Sequence, residues 1–255
     1  MEDNKEIIEE KNNNENDKKE EIKNSSLLTN SNYKIEILKE DNLSDEIISK
    51  IIIIGDSGVG KTSISTRLTK NLFEEAPKAT VGFDIFKYVA KINDLAIKLQ
   101  IWDTCGLEEF SSCTPSLYKN AALAIMVYSI DNRRSFDHLE NWKNLVKTHA
   151  NPDTIIFIVG NKKDLDKEKE NKRKVNTKEG EEFKDMNSFQ FFIETSAKEN
   201  EFVNELFQQA LIIIYEQLQE KKKNGGKERI DFSKNNKNIK IVKINTKNEK
   251  KGCCK

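Results

Sequence analysis

Long apolar runs are missing from this 255-residue chain. The longest, such as Ala121 to Tyr128, fall far short of the ~20 residues that a membrane-spanning helix needs, so the chain reads as soluble before any modification. A secretory leader is also missing, because Met1 is followed by acids where a basic segment and an apolar stretch would stand. Cysteine is scarce. Cys105 and Cys113 lie in the middle and Cys253 and Cys254 near the end, a pattern that suits neither a disulfide framework nor a zinc site. These absences predict a reducing, cytosolic setting and leave the terminal cysteine pair needing its own explanation.

Net charge is absent too, but only on average. Residues 1–47 carry fourteen Asp and Glu against seven Lys, while residues 221–255 carry thirteen Lys and Arg against three acids. The head is thus at −7, the tail at +10 and the middle at −3. Residues 1–47 hold too few large apolar groups to offset the entropy of ordering, so they read as a disordered acidic extension. Within them Tyr33 to Leu38 alternates for a few positions, which allows docking as a short strand, but a solvated tail is the preferred reading. The same polar composition returns from Lys221 as a basic flexible tail.

Between the tails, residues 48–220 alternate strand-like and helix-like segments, the pattern of an α/β domain with a largely parallel sheet and helices on both faces. Six strands are predicted: Lys50 to Ile54, Phe83 to Ile92, Ile97 to Trp102, Ala121 to Tyr128, Thr154 to Val159 and Phe189 to Glu194. Asn93-Asp94 is too short a link for a crossover helix, so the second strand should be antiparallel to the third. Ser135 is the expected cap of a helix whose Phe136, Leu139, Trp142, Leu145, Val146 and His149 form one stripe. Asn200 is the expected cap of another, bearing Phe202, Leu206, Phe207, Leu211 and Ile214. His149 reads as a helix-edge residue without chemistry.

Directly after the first of these strands stand Gly55, Asp56, Ser57, Gly58, Val59, Gly60, Lys61 and Thr62, continued by Ser63 into a helical segment. This is a P-loop in its required context. The glycines let backbone N–H groups curl around phosphate oxygens, the helix N-terminus adds partial positive charge, Lys61 reaches the outer phosphates and Thr62 can ligate Mg2+. The loop alone leaves ATP and GTP open. Asn161-Lys162-Lys163-Asp164 follows the fifth strand, where a base would lie, and the two oxygens of Asp164 can accept from the N1–H and 2-amino group of guanine. Adenine offers no matching donors, and a buried unpaired polar group costs ~1 to 3 kcal/mol. After the sixth strand comes Glu194-Thr195-Ser196-Ala197-Lys198, whose Ser196 and Ala197 N–H groups can meet the base oxygen while the Lys198 stem lies beside the ring.

The P-loop, D-T-x-G at Asp103 to Gly106, N-K-x-D and E-T-S-A-K, in this order and spacing, resemble a Ras-superfamily small GTPase over roughly residues 48–220. G-D-S-G-V-G-K-T-S, T-V-G-F-D and K-L-Q-I-W-D-T are most similar to the Rab group. The resemblance implies a P-loop GTPase fold binding GTP or GDP with Mg2+. It implies that Thr80 binds Mg2+ and the γ-phosphate, that Phe73 stacks on guanine, that Asp103 holds Mg2+ through water and that the Gly106 N–H touches the γ-phosphate. Phe73 could equally be a partly buried helix-end aromatic. Lys61, Thr80 and Gly106 would carry catalysis, with effectors, an exchange factor and a GTPase activator as partners at the switch regions.

This chain departs from the family at Leu107, where a glutamine that orients the attacking water is usual. Leu107 has neither donor nor acceptor, which predicts slow hydrolysis and a bias toward the GTP state, with GTP affinity retained. A water ordered by another group is the bland alternative, and Rab activators resemble donors of an arginine and a glutamine in trans. Ile85 and Leu117 stand where Rab proteins carry aromatics, Glu109 stands for an arginine and Cys105 for an alanine, whereas Trp102 fits. These changes should alter which effectors dock.

Cys253 and Cys254 fail the C-a-a-X rule but resemble the double-cysteine tails on which Rab proteins carry two geranylgeranyl groups, which implies prenylation machinery as a partner. Two chains suffice for stable anchoring, and each basic residue near an anionic leaflet adds ~1 kcal/mol, so a lipid-anchored protein on cytosolic membrane faces is expected. No aromatic interleaving marks the tail for nucleic acid. The overall expectation is a Rab-type switch in vesicle transport, with a constitutively GTP-bound membrane scaffold and an ATP-using P-loop enzyme as alternatives.

Overall fold

A computed structural model of the chain describes residues 33–38, 46–75, 77–106, 115–167 and 172–223. Seven strands form one sheet: β1 (Ile35–Ile37), β2 (Ile47–Ile54), β3 (Phe83–Ile92), β4 (Leu95–Thr104), β5 (Ala121–Ser129), β6 (Ile155–Asn161) and β7 (Phe191–Glu194). Their order across the sheet is β1-β3-β4-β2-β5-β6-β7. Neighbours from β4 to β7 pair in parallel, whereas β3 is antiparallel to both β4 and β1, so β3 alone runs against the rest. Asn93 takes a left-handed φ of 52° and lets Ile92 pair with Leu95, which is the expected hairpin.

Among the described residues six α-helices accompany the sheet: α1 (Lys61–Lys70), α2 (Pro115–Tyr118), α3 (Arg133–Asp137), α4 (Leu139–His149), α5 (Thr177–Met186) and α6 (Val203–Lys223). Period-2 alternation splits the apolar strand residues between two cores. Ile51, Ile53, Ile125 and Phe157 pack with Ile64 of α1 and Leu206, Phe207 and Leu211 of α6. Ile52, Ile54, Met126 and Ile158 face the other way, against Leu139, Trp142 and Val146 of α4. Each such buried side chain contributes roughly 1.5–3 kcal/mol, so β2, whose Ile51, Ile52, Ile53 and Ile54 are almost wholly inaccessible, is fixed from both faces. The loop after β2 therefore leaves a rigid base.

Three local expectations are corrected. Residues 33–38 are not a solvated tail: β1 lies along the β3 edge, with Leu38 N–H on the Val89 carbonyl at 2.9 Å and Asn93 N–H on the Lys34 carbonyl at 2.8 Å. Tyr33 and Ile35 join the first core, the Tyr33 hydroxyl bonds Glu216 of α6, and its ring meets Tyr215 edge-on at 6.0 Å. A short alternating segment gains enough here because the β3 backbone edge is otherwise unpaired. Asn132, not Ser135, caps the helix. Its side chain accepts from the Ser135 N–H at 3.4 Å, and the buried Ser135 hydroxyl returns to the Asn132 carbonyl at 2.7 Å, so the helical run starts three residues earlier and breaks at His138. Asn200 is left-handed, with φ 53°, and α6 begins instead with Leu206 N–H bonding the Phe202 carbonyl at 3.1 Å.

Candidate nucleotide-binding site

At the carboxyl ends of β2, β4, β6 and β7 a cleft of about 760 Å³ opens. Ser57, Gly58, Gly60, Lys61, Thr62 and Ser63 form one wall, and Lys162, Asp164, Ala197, Lys198 and Phe73 the far end. The loop after β2 passes so close to the sheet that a Cβ on Gly55, at φ 143°, would lie 2.1 Å from the Val127 carbonyl oxygen. At its other end Gly60, with φ 97°, opens α1, where a Cβ would lie 2.2 Å from Asn161 Nδ2. No side chain fits at either position. Lys61 is 5% exposed, and its ammonium donates to the carbonyls of Gly55 and Asp56, both at 2.8 Å. Burial pushes its pKa down to about 8, opposed by the nearby carboxylates of Asp103 and Asp56. A loop of N–H groups around a desolvated cation is suited to a polyphosphate.

Beside Lys61 lies an oxygen cluster. The Thr62 hydroxyl sits 2.8 Å from the Thr80 hydroxyl and donates to Asp103 Oδ2 at 2.5 Å. Asp103 is fully buried, and its Oδ1 has no hydrogen-bond partner among the described residues. Burial raises its pKa to about 6, against the opposing pull of the Thr62 hydroxyl and of Lys61. Two hydroxyls and an under-coordinated carboxylate are hard donors that fit Mg2+, which is commonly held by one or two carboxylates together with substrate phosphates. Among the described residues no group of three or more His, Cys, Asp or Glu forms an all-protein cage. Gly106 packs against the phosphate loop so closely that a Cβ would lie 2.2 Å from the Ser57 nitrogen. Its backbone therefore lies against the P-loop backbone and lines the cleft.

At the far end the loops are tied to one another. Asn161 spends its side chain on protein: Nδ2 donates to the Val59 carbonyl at 2.9 Å, and Oδ1 accepts from the Thr195 hydroxyl at 3.2 Å and the Ala197 N–H at 3.3 Å. It thus joins the P-loop to the loops after β6 and β7, and it also lines the cleft. Asp164 accepts from the Ser196 hydroxyl at 2.6 Å through Oδ1 and lines the cleft. Lys162, left-handed at φ 66°, also lines it. Phe73 packs on the edge of the first core and borders the cleft, with the Arg67 guanidinium 5.9 Å from its ring.

Gly55, Val59, Asp103 and Ser196 stand behind the cleft wall, as supports of the loops that line it. The Asp56 carboxylate turns away from the cleft and takes hydrogen bonds from His138 and Trp142 at the start of α4, which leaves its backbone as the part within the loop. Leu107, Glu109, Cys253 and Cys254 lie outside the described residues.

Two arginines were not singled out from the sequence. Arg67 of α1 donates to the carbonyls of Ala197 at 2.8 Å and Lys198 at 3.0 Å, holding the last base loop against the P-loop helix. Arg173 bridges Asp166, at 2.6 Å, and Glu194, at 2.7 and 3.0 Å, so it links the turn after Asp164 to the end of β7. Both partners hold the Arg173 guanidinium well above its ordinary pKa. No local pattern marks either residue, because their partners are distant in sequence.

Comparison with known proteins agrees with this geometry. The Ras family profile matches residues 50–216. Ras-related protein Rab-11B of Dictyostelium discoideum is 40% identical over 173 residues, covering 68% of this chain and 76% of that protein. Ras-related protein Rab-11C of the same organism is 40% identical over 177 residues, covering 69% and 77%. A P-loop at the end of a mostly parallel sheet, paired base loops and this similarity lead to one conclusion: the chain belongs to the Ras family and is a Rab-like small GTPase.

Proposed function

We propose that this chain is a guanine-nucleotide switch in vesicle transport, with an intrinsic hydrolysis step slowed by Leu107. The observation that carries the guanine assignment is the placing of Asp164 and the Ala197 backbone at one end of a cleft whose other end is the Lys61 loop. Asp164 would accept from the N1–H and 2-amino group of guanine, held in aim by Ser196, while Ala197 and Lys198 border the base. Thr62, Thr80 and Asp103 would hold Mg2+, which neutralises phosphate charge when bound. Gly106 N–H and Thr80 are the contacts that distinguish a third phosphate from its loss. Calorimetry with Mg2+ tests the reading: GTP and GDP should bind far more tightly than ATP, and equal uptake of GTP and ATP would overturn it.

Hydrolysis is the second part. Leu107 follows Gly106 and cannot orient a water, so the GTP-bound form should persist in the isolated protein. The Leu107→Gln variant should hydrolyse bound GTP at least about tenfold faster in single turnover. Equal rates would remove the positioning argument. A scaffold that stays loaded with GTP is the reading Leu107 favours if an activator cannot supply the missing group; mostly GTP on the purified protein would support it.

Attachment to membranes through lipid groups on Cys253 and Cys254 completes the proposal, with the +10 charge of residues 221–255 adding attraction to anionic leaflets. Among the described residues no helix is long and apolar enough to cross a membrane. Effectors would meet the face carrying exposed Val81, Phe83 and Ile85 beside Trp102, which stacks on Phe83 at 4.9 Å. Replacing Cys253 and Cys254 by serine should release the protein from membranes in fractionated cells.

A further inference from the structure

The phosphate-binding loop contains a carboxylate, Asp56, where negative charge would repel a phosphate if aimed inward. It is aimed outward. Asp56 Oδ2 lies 2.8 Å from His138 Nδ1, and Oδ1 accepts from the Trp142 indole N–H at 2.9 Å. The side chains of Asp56 and His138 are only 14% and 20% exposed, and Trp142 is buried in the second core at 6%. On the other ring nitrogen, His138 Nε2 faces Arg134 Nε at 3.4 Å. A guanidinium can only donate, so Nε2 accepts, and the ring proton sits on Nδ1 and points at Asp56. Two donors from one helix entry thus converge on one carboxylate.

The backbone of the same residue faces the other way. The Asp56 carbonyl accepts from Lys61 Nζ at 2.8 Å. His138 is the break between α3 and α4, and its carbonyl accepts from the N–H groups of Asn141 and Trp142 at 2.9 and 3.1 Å, so it is itself held. A mere need to satisfy a buried indole is not the explanation, since the Trp102 N–H is buried with no partner among the described residues.

We propose that Asp56 is a positioning residue: strapped to α4 by His138 and Trp142, it keeps the phosphate loop in its anion-accepting shape and couples α4 to the nucleotide. The inference rests on the phosphate-binding reading of that loop. Removing the strap frees the loop to relax from that shape. Bound nucleotide then leaves faster, although none of the three side chains touches it.

The test uses the full chain loaded with fluorescent GDP, chased with unlabelled GDP in Mg2+. Asp56→Ala should release GDP about tenfold faster, and Trp142→Phe and His138→Ala each about threefold faster, in line with hydrogen bonds to a charged group. His138→Gln, which keeps a donor, should restore much of the parent rate. Adding Asp56→Ala to the His138→Ala and Trp142→Phe pair should have little further effect, because the partners are already gone. In ¹H–¹⁵N spectra the two tryptophans give two indole resonances. That of Trp142 should move when GDP is removed from the parent and be insensitive to GDP in Asp56→Ala. Release from a folded Asp56→Ala within twofold of the parent, or an unchanged Trp142 resonance, overturns the strap while the nucleotide reading stands. If Asp56→Ala does not fold, His138→Ala against His138→Gln decides by the same rates. A parent chain that retains no GDP removes both.

Discussion

At the base end of the cleft, Asn161, Arg67 and Arg173 tie three loops together through bonds the chain makes with itself. At the cation end, Thr62, Thr80 and Asp103 share two hydrogen bonds, and one Asp103 oxygen has no partner among the described residues. The first region is complete without a ligand. The second has a carboxylate oxygen to spare in a buried setting, which is costly unless a cation draws on it. A switch needs both kinds of construction: a fixed grip that keeps the nucleotide, and a corner whose arrangement depends on which nucleotide is held.

Breaking the fixed grip at its reading head should give the largest effect. Asp164→Ala removes two charge-assisted acceptors, so GDP affinity should fall about 1000-fold, roughly 4 kcal/mol, as measured by calorimetry with Mg2+. A loss under tenfold would mean that base recognition lies elsewhere.

Arg173→Met strikes the same end from behind. It strands Glu194, whose side chain is 6% exposed, and should cost roughly 3 kcal/mol in denaturant unfolding. Thr177, still bonded to Glu194 at 3.1 Å, limits the loss. An unchanged midpoint would show that the base loops do not depend on this clamp.

Asp103→Asn addresses the cation corner. Parent protein should release GDP faster when Mg2+ is chelated, and the variant should lose about tenfold of that sensitivity, since a neutral amide is a poor ligand for a hard dication. The contrast sharpens if Asp164→Ala keeps its response to chelation while Asp103→Asn does not.

The smallest effect concerns acid. Arg173 holds the Asp166 carboxylate below its ordinary pKa, so this pair contributes stability that is present above the unfolded value, about 4, and is lost as pH falls through the lower folded value. Arg173→Met should therefore show a shallower fall in stability below pH about 4 than the parent. With Asp166 a third exposed, the difference should be well under 1 kcal/mol.

Much of this was legible in the sequence, for local reasons. The Gly55 to Thr62 loop and Asn161 to Asp164 declare themselves because their chemistry lies within a few consecutive residues. Side-chain direction does not: membership of the loop says nothing of where the Asp56 carboxylate points, and the packing of α4 decides it. The sequence reading put the cap at Ser135, three positions past the Asn132 that serves, because both are cap-forming residue types and composition does not choose between them. Arg67 and Arg173 stayed hidden because their partners lie up to 131 residues away. β1 ranked second to a solvated tail because so few alternating residues sit in a charged stretch, and its worth comes from the edge it covers.

That edge strand brings the front of the chain beside the helix leading to its rear. Tyr33 is fastened to Glu216, and Glu216 stands seven residues, roughly 10 Å of helix, before Lys223. A dye placed just ahead of Tyr33 and another just past Lys223 would form a molecular ruler, whose lengthening reports the undocking of β1 in real time.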